Sequence, residues 1–302
     1  MKDMNLPLMS ICIPTYNRAE RLQVAIHSAL NSSYPNLEII VSDNGSTDQT
    51  EELCRRVCAA NGKVRYFRHD RNLGATKNFE FARAQSVGTY FMWLGDDDSL
   101  TETYVSQCIK RLESDQDLVL VSGNAAYHKQ DGIITHHGLL HDLGSDNSLY
   151  RVFKYLLLVG DNAIFYGVYR AEKIAKCWIP DCFAGDWVWI AQVLLRGKAM
   201  MMPEVLVKRE YGSNTAISHA NIVKALGLPK WQAKFPLLAT AINAGNYLTV
   251  DCRRNMSRSR FFCYSIYSLV FLAIGLKAFI SFLRLWVPKI PFAKRIYYKL
   301  NK

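Results

Sequence analysis

The sequence predicts an α/β fold in which a mostly parallel β-sheet is flanked by helices. Three observations support this prediction. Short apolar runs alternate with segments of helical spacing through about the first hundred residues. A polar, turn-forming segment follows each of these runs, and an apolar stretch between basic residues lies near the C-terminal end. A chain of 302 residues can bury a substantial core, so its length does not limit the fold.

The alternation predicts four strands, each followed by a helix. Short apolar runs are expected as strands, and segments with apolar residues three and four positions apart are expected as helices. The expected strands are 9–13, 37–41, 64–67 and 89–94, and the expected helices are 20–30, 47–60, 76–85 and one that begins near residue 101. Strands that alternate with helices favour a parallel sheet covered on both faces.

Beyond residue 115 the pattern is less regular. We expect strands at 118–122 and 205–208, a polar hairpin-like region at 128–141 and a helix at 148–159. A further amphipathic helix is expected to open at Asp186. Trp187 and Trp189 lie two residues apart on that helix, so at least one of them should belong to the core.

Polar segments follow the four early strands. They are 15–18, 42–46, 69–74 and 96–98. Ligands of open α/β sheets bind beyond the carboxyl ends of the strands, so these segments should face a common site. Together they offer carboxylates for a nucleoside or a metal and donors for phosphate. The chain has no G-x-G-x-x-G or Walker loop at these positions, which disfavours a dinucleotide or P-loop site.

Three consecutive carboxylates, Asp96, Asp97 and Asp98, end the fourth predicted strand. Their mutual repulsion would be relieved by a cation, and Mg²⁺ typically takes one or two protein carboxylates together with substrate phosphates and water. The alternative is a solvated acidic turn that caps the helix beginning near residue 101. The residues alone leave both interpretations open.

The net charge of +11 is a property of the C-terminal part. Residues 251–302 hold eleven Lys or Arg against one acid, Asp251, which leaves 26 bases and 25 acids in residues 1–250. The basic residues flank an apolar segment, a pattern that indicates an anionic membrane surface rather than nucleic acid. The eight cysteines lack a paired C-x-x-C pattern and are expected to be reduced.

Residues 261–276 carry no charge, and as a helix they would span about 24 Å, less than the roughly 30 Å hydrocarbon core of a bilayer. Three alternatives remain open: an interfacial or shallowly inserted anchor, a true span, or packing against the rest of the protein. The first residues do not resemble a secretory signal, so the expected location is the cytoplasmic face of the cell membrane.

Four motifs in order resemble a known family. They are Ile13-Pro14-Thr15-Tyr16-Asn17-Arg18, Asp43-Asn44-Gly45-Ser46-Thr47-Asp48, Arg71-Asn72-Leu73-Gly74 and Gly95-Asp96-Asp97-Asp98. The chain resembles the inverting glycosyltransferases of the GT-A fold, a Rossmann-like fold, in the large glycosyltransferase family 2 that makes bacterial surface polysaccharides. The resemblance implies that nucleotide-sugar-binding residues are Pro14, Thr15, Tyr16, Asn17, Arg18, Asp43, Asn44, Arg71, Gly74, Asp96 and Asp97.

The resemblance further implies that Mg²⁺ or Mn²⁺ binds at the acidic run, with Asp98 as the main ligand and Asp96 and Asp97 as competitors. Many relatives carry an aspartate where this chain has Gly95, so the division of roles among the three aspartates stays open. It also implies that Asp43 contacts the nucleobase, that Thr15 and Tyr16 border the nucleotide, and that Arg71 lies beside the base or diphosphate.

Asp186 resembles the family's catalytic aspartate, which precedes a helix rich in aromatic and apolar residues. A general base for inverting transfer must lie within hydrogen-bond reach of the acceptor hydroxyl, on the side opposite the departing nucleotide. The alternative role for Asp186 is that of a helix N-cap. Residues 209–218 resemble a segment that closes over the donor, although an ordinary surface loop would have the same composition.

The expected enzyme transfers a sugar, with inversion and with metal assistance, from a nucleotide-diphosphate sugar to a glycan or lipid-linked acceptor. A uridine nucleotide is preferred on resemblance. The alternatives are a synthase that transfers the sugar to polyprenyl phosphate and a non-catalytic nucleotide-sugar-binding scaffold of a membrane assembly. The expected domains are a GT-A domain at 1–220, with a nucleotide-binding half at about 1–115 and an acceptor-binding half at about 116–220, and a helical, basic, membrane-associating region at 221–302.

Overall fold

The structure, a computed structural model, describes residues 6–129, 133–210 and 218–286. Its first part has the predicted alternation of strands and helices. The elements are β1 (Met9–Thr15), α1 (Ala19–Leu30), β2 (Leu37–Asp43), α2 (Thr50–Ala60), β3 (Val64–Arg68), α3 (Ala75–Ala84) and β4 (Tyr90–Trp93). Strands β1 to β3 continue for one or two residues beyond the apolar runs, because backbone pairing extends into the polar ends of the strands.

The second part contains both expected and unexpected elements. They are β5 (Asp98–Leu100), α4 (Tyr104–Ser114), β6 (Leu118–His128), β7 (Ile134–His137), α5 (Ser148–Leu158), β8 (Val168–Arg170), α6 (Gly185–Arg196) and β9 (Lys198–Glu210). Strands β6 and β7 pair as the expected hairpin. The short strands β5 and β8 were not predicted, and β6 and β9 are longer than predicted because they pair with each other along most of their length.

Four helices follow in the C-terminal part. They are α7 (His219–Ala225), α8 (Trp231–Lys234), α9 (Pro236–Arg254) and α10 (Arg260–Trp286). Helices α9 and α10 pack against each other, and they also pack against α6 and α5, respectively. The cluster of buried side chains beneath α6 therefore includes residues of both helices, such as Leu248 and Ile266. The boundary at residue 220 stays a prediction, and the described part of 221–286 shares a core with the preceding domain.

The nine described strands form one sheet in the order β3-β2-β1-β4-β8-β6-β9-β5, with β7 paired to β6. Strands β1 to β4 are parallel, as predicted. Strand β8 runs antiparallel to both of its neighbours, and β5 runs antiparallel to β9, so the complete sheet is mixed. Strand β5 lies at one edge of the sheet beside β9, whereas β4 lies in its interior, so the acidic run connects two strands that are not neighbours.

An aromatic cluster packs between the sheet and α6. The indole rings of Trp93 and Trp189 have centroids 4.9 Å apart, and Trp93 stacks on Phe165 at 4.9 Å. Trp189 is fully buried, as expected for at least one of the two helix tryptophans. Aromatic pairs of this kind add to the stabilisation from buried apolar area. The cluster thereby holds the first turn of α6, which carries Asp186, close to the end of β4.

Lys277 of α10 contacts the C-terminal end of α5. Its ammonium donates hydrogen bonds to the carbonyl oxygens of Leu157, at 3.2 Å, and Val159 at the C-terminal end of α5. It also lies 5.5 Å from the ring centroid of Trp187. A cation is favourable at a helix C-terminus and over an indole face. This charge in the apolar helix is therefore used for packing within the protein.

Candidate active site at the carboxyl ends of the strands

The ends of β1 and β4 meet at a hydrogen-bonded cluster. The hydroxyl of Thr15 donates to Asp96 at 2.8 Å, and Arg18 donates to Asp96 at 2.9 Å and to Asp97 at 3.1 Å. Burial raises the pKa of Asp96, although the guanidinium of Arg18 opposes that shift. Two of the three carboxylates are thus neutralised in part by an arginine of the first strand-end segment.

Asp43, at the end of β2, is fully buried. Its carboxylate accepts hydrogen bonds from the backbone N–H of Ser46 at 2.8 Å and from the hydroxyl of Tyr66 at 2.7 Å, and Arg68 lies 3.7 Å away. This carboxylate organises the loop after β2. Its predicted contact with a nucleobase stays a prediction.

Asn44 joins the loops after β2 and β3. Its amide donates to Asn72 at 2.9 Å and accepts from the backbone N–H of Leu73 at 2.8 Å. Gly45 has a φ of +77°, and a Cβ at that position would lie 2.9 Å from the backbone of Arg71. A glycine is therefore required where the two loops touch. The side chain of Arg71 is at an exposed position on this rim.

The remaining residues of the first motif surround the same rim. Pro14 is buried in β1 opposite Ser42, and Tyr16 is exposed. Asn17 adopts a φ of 53°, and its side-chain oxygen accepts the backbone N–H of Thr47 at 2.7 Å. Gly74, with a φ of 91°, precedes α3. The structure thus brings the predicted nucleotide-sugar-binding residues to one edge of the sheet.

Asp98 has a different partner from the other two carboxylates. It lies opposite Arg209 in the pairing of β5 with β9, and Arg209 Nε lies 3.3 Å from Asp98 Oδ1. Burial raises the pKa of Asp98 to about 6 against the effect of Arg209. Asp98 Oδ2 is buried and has no hydrogen-bond partner among the described residues. An unpartnered buried carboxylate oxygen is costly and calls for a ligand.

Gly95 leaves room for this carboxylate. A Cβ at residue 95 would lie 2.8 Å from Asp98 Oδ2, closer than side-chain carbons approach oxygens. A side chain at residue 95 would therefore require the carboxylate of Asp98 to move.

The donor set fits a divalent cation held by few protein ligands. Within residues 6–129, 133–210 and 218–286, three or more His, Cys, Asp or Glu side chains do not converge on one point. Asp96 and Asp97 face Arg18, whereas Asp98 has one unpartnered oxygen. Mg²⁺ is commonly bound through one or two carboxylates plus substrate phosphates, which this arrangement permits.

Asp186 lies in the first turn of α6. The cap position belongs to Ala184, so Asp186 is not the N-cap residue that the alternative interpretation required. Its carboxylate accepts a hydrogen bond from Asn162 at 2.7 Å, and the amide oxygen of Asn162 accepts one from Tyr155 at 2.7 Å. Burial raises the pKa of Asp186, while the hydrogen bond from Asn162 opposes the increase. A partly buried carboxylate of raised pKa is typical of a general base.

A cavity of about 660 Å³ opens beside Asp186. Asp161, Asn162, Trp187 and Arg209 contribute polar or aromatic groups to its walls, and α7 and α9 contribute an apolar side. Arg209 is shared by the cavity and the acidic run. Its guanidinium lies 4.9 Å from the ring centroid of Tyr166 and 5.8 Å from that of Tyr127, so the two rings hold it in place.

The motifs single out neither Asn162 nor Asn78, and they include Arg209 only as the first residue of the expected closing segment. Asn78 donates to the backbone carbonyl of Ser42 at 2.9 Å and so joins α3 to the end of β2. The only sequence signal for this role of Asn78 was a polar residue on the apolar face of a predicted helix. Most of the closing segment, residues 211–217, lies outside the described residues.

The mixed sheet flanked by helices has the GT-A fold. The Glycosyl transferase family 2 model matches residues 10–177, and the chain belongs to that family. Its sheet resembles that of S. aureus TarS residues 1–349 in complex with UDP, with a TM-score of 0.55, 13% identity and coverage of 83% of this chain and 73% of that one. It also resembles the mannosyltransferase PcManGT of Pyrobaculum calidifontis in complex with GDP-Man and Mn²⁺, with a TM-score of 0.53, 15% identity and coverage of 90% and 86%.

Curated relatives agree with the family. An uncharacterized glycosyltransferase of Haemophilus influenzae is 34% identical over 131 residues, 43% of this chain and 51% of that protein. The Campylobacter jejuni GalNAc(5)-diNAcBac-PP-undecaprenol beta-1,3-glucosyltransferase is 29% identical over 129 residues, 42% of this chain and 41% of that protein. The matches thus span about half or less of these relatives. The predicted recognition and fold class are confirmed.

Proposed function

We propose that this protein transfers a sugar from a nucleotide-diphosphate sugar to a hydroxyl of a glycan or lipid-linked acceptor by a single displacement with inversion. The observation that carries the proposal is the position of Arg209, which joins Asp98 of the acidic run to the cavity beside Asp186. One residue thus connects the place for a leaving diphosphate with the place for a base. A single displacement needs these two groups on opposite sides of the reacting carbon.

On the donor side, the rim formed by Thr15, Tyr16, Asn44 and Arg71 holds the nucleoside. A uridine nucleotide is preferred on family resemblance, and the TarS structure in complex with UDP is consistent with this choice. Arg18 and Arg209 lie where diphosphate charge would be placed, beside Asp96 and Asp98. Fixed cations stabilise charge that develops on a leaving group more effectively in a buried site than in water.

Asp98 would hold Mg²⁺ or Mn²⁺ through its unpartnered Oδ2, and Asp96 and Asp97 remain competing ligands if they exchange Arg18 for the ion. A bound divalent cation supplies charge stabilisation to the diphosphate oxygens. The PcManGT structure contains Mn²⁺ with a nucleotide sugar, which supports this assignment by fold. Gly95 keeps the space next to Asp98 Oδ2 free of a side chain.

Asp186 acts on the acceptor side. Its carboxylate accepts the proton of the attacking hydroxyl, and Asn162, itself held by Tyr155, orients it. The burial that raises its pKa also makes it a stronger base than an exposed aspartate. The closely related alternative, transfer to polyprenyl phosphate, would supply an acceptor oxyanion that needs no base. The only support for the scaffold alternative is the aspartate missing at Gly95, and the 2.8 Å between a Cβ at that position and Asp98 Oδ2 supports a role for glycine there instead.

Helix α10 supports an association with the membrane surface. Among the described residues, one helix, Arg260–Phe282, is long and apolar enough to cross a bilayer by length and composition. Its buried residues, such as Ile266 and Val270, face α5 and α9, whereas Phe261 and Tyr264 are 82% and 70% exposed. A helix that is attached along one face and apolar on the other suits shallow insertion. The proposed location is the cytoplasmic face.

The test is nucleotide release by the purified full chain. With Mn²⁺ and a lipid-linked acceptor, we expect UDP to appear from a UDP-sugar, and Asp186→Asn should lower turnover by about 10²- to 10⁴-fold while donor binding persists. The matched control is Asp181→Asn, which makes the same change at an exposed residue of the preceding loop. Full turnover by Asp186→Asn on a hydroxyl acceptor would contradict the base assignment. Activity retained only on polyprenyl phosphate would favour the alternative.

A further inference from the structure

The segment that forms the apolar side of the cavity also has an exposed apolar surface. Trp231, Phe235 and Leu238, which we call the α8 surface, are 39%, 50% and 48% exposed. They lie within eight residues of one another at the junction of α8 and α9, where Phe235 is the non-helical residue between the two helices. The backbone N–H of Phe235 donates to the carbonyl of Trp231, and that of Ala239 donates to the carbonyl of Phe235, so hydrogen bonds continue across the junction.

The same few residues border the reaction cavity. Pro236, Leu237 and Thr240 line the cavity, and they alternate along the chain with the exposed Phe235 and Leu238. One short segment therefore separates the cavity beside Asp186 from solvent through an apolar wall. Large apolar side chains grouped on a surface mark an interaction site more often than scattered ones do.

Charge identifies what the α8 surface would contact. Lys224, Lys230 and Lys234 are exposed around it, and residues 211–250 contain no Asp or Glu. Lys234 Nζ lies 5.6 Å from the ring centroid of Phe235, so a cation and an aromatic ring occupy the same edge. Lysines and aromatic side chains together favour the headgroup region of an anionic bilayer.

We propose that the α8 surface docks on an anionic lipid bilayer and places the mouth of the Asp186 cavity against the headgroups. This contact is separate from α10. Helix α9 packs against both α8 and α10, and it contributes Ala239 to a second buried cluster with Val223 of α7. The inference rests on the proposed function in one respect: docking would let the proposed lipid-linked acceptor enter the cavity from the membrane. Membrane docking itself requires no nucleotide.

The first test uses the full chain with vesicles of equal parts phosphatidylglycerol and brominated phosphatidylcholine. Bromine quenches tryptophan emission at short range, and the emission of Trp231 is obtained as the difference between the wild-type protein and Trp231→Phe. We expect this difference emission to be quenched in vesicle-bound protein. If Trp231 is not quenched in vesicle-bound protein, the proposal is wrong and the protein binds the membrane through other surfaces. The α8 surface would then be expected to bind a protein partner.

The second test measures vesicle affinity of a variant in which Lys224, Lys230 and Lys234 are changed to Gln. Lysines near an anionic surface each contribute about fivefold, so three should weaken binding roughly 100-fold. The matched control changes the exposed Arg56, Lys63 and Lys110 to Gln, with the same loss of charge on the nucleotide-binding half. Equal affinities of the two variants would overturn the proposal. Calorimetric binding of UDP with Mn²⁺, measured alongside, reports on the proposed function independently.

Discussion

Arg209 Nε lies 3.3 Å from Asp98 Oδ1, although the two residues are 111 positions apart in the chain. The pair exists because β5 and β9 are antiparallel neighbours in which Asp98 and Arg209 are directly opposite. Arg209 also lines the cavity that contains Asp186. The residues proposed for the leaving diphosphate and for the acceptor are thus connected through one guanidinium.

Arg209→Ala should lower turnover by about 10²- to 10³-fold, because it removes a fixed cation beside the departing diphosphate. It also leaves the buried Asp98 carboxylate without its partner, so affinity for nucleoside diphosphate should fall as well. Steady-state rates and calorimetry with UDP and Mn²⁺ measure the two effects. Lys208→Ala is the matched control, since Lys208 is the preceding, exposed residue of β9. Equal turnover of the two variants would exclude this role for Arg209.

Gly95→Ala should weaken Mn²⁺-dependent nucleotide binding by about 10- to 100-fold, the range for residues that orient a metal ligand. The added Cβ would lie 2.8 Å from Asp98 Oδ2, so the carboxylate would have to move. Titration of UDP with Mn²⁺ and with EDTA separates the metal-dependent part of binding. At Gly144, a Cβ would meet Asp142 at an ordinary 3.5 Å, and Gly144→Ala should bind normally. Unchanged Mn²⁺-dependent binding by Gly95→Ala would argue against a metal at Asp98.

Asp186→Asn should be more stable than the wild-type protein at neutral pH. Because burial raises the pKa of Asp186 above its ordinary value of about 3.9, ionisation of this carboxyl disfavours the folded state. The favourable contribution of the protonated form is complete below about pH 3.9 and is lost as the pH rises through the folded-state pKa.

The measurement is urea denaturation at several pH values. The stability gain of Asp186→Asn should therefore be present at pH 7 and disappear near pH 4. The exposed Asp181→Asn control should stay within about 0.5 kcal/mol of the wild-type protein at every pH. A gain that does not depend on pH would show that ionisation of Asp186 is not its cause.

Asp251→Ala should lower the free energy of unfolding by about 3–5 kcal/mol, because it leaves the guanidinium of Arg196 buried without its charge partner. Arg196 of α6 donates to Asp251 of α9 at 2.7 Å and 2.8 Å, and Asp251 is fully buried. Chemical denaturation should show one transition, since α9 and α6 share a core. Asp142→Ala, at a largely exposed ion pair with Lys154, is the control with an expected change below about 1 kcal/mol. Two separate transitions would instead support an independent domain at 221–302.

The alternation of strands and helices up to β4 followed from the sequence, as did the grouping of polar segments at one sheet edge. Each of those signals is local, because an apolar run or a helical spacing is contained within about a dozen residues. The same periodicity predicted the amphipathic helix near Asp186. The four motifs and their order also sufficed to identify the family, because recognising them requires no knowledge of long-range contacts.

Only the tertiary structure decided how the second half completes the site. Strands β5 and β8 are three residues long, too short to carry a periodic signal, and they exist because distant strands pair with them. The contacts of Arg209 with Asp98, Asn162 with Asp186 and Arg196 with Asp251 likewise join residues far apart in sequence. Ion pairs and hydrogen bonds of this kind depend on strand register and helix packing, which arise from the whole core and leave no pattern in a short stretch of sequence.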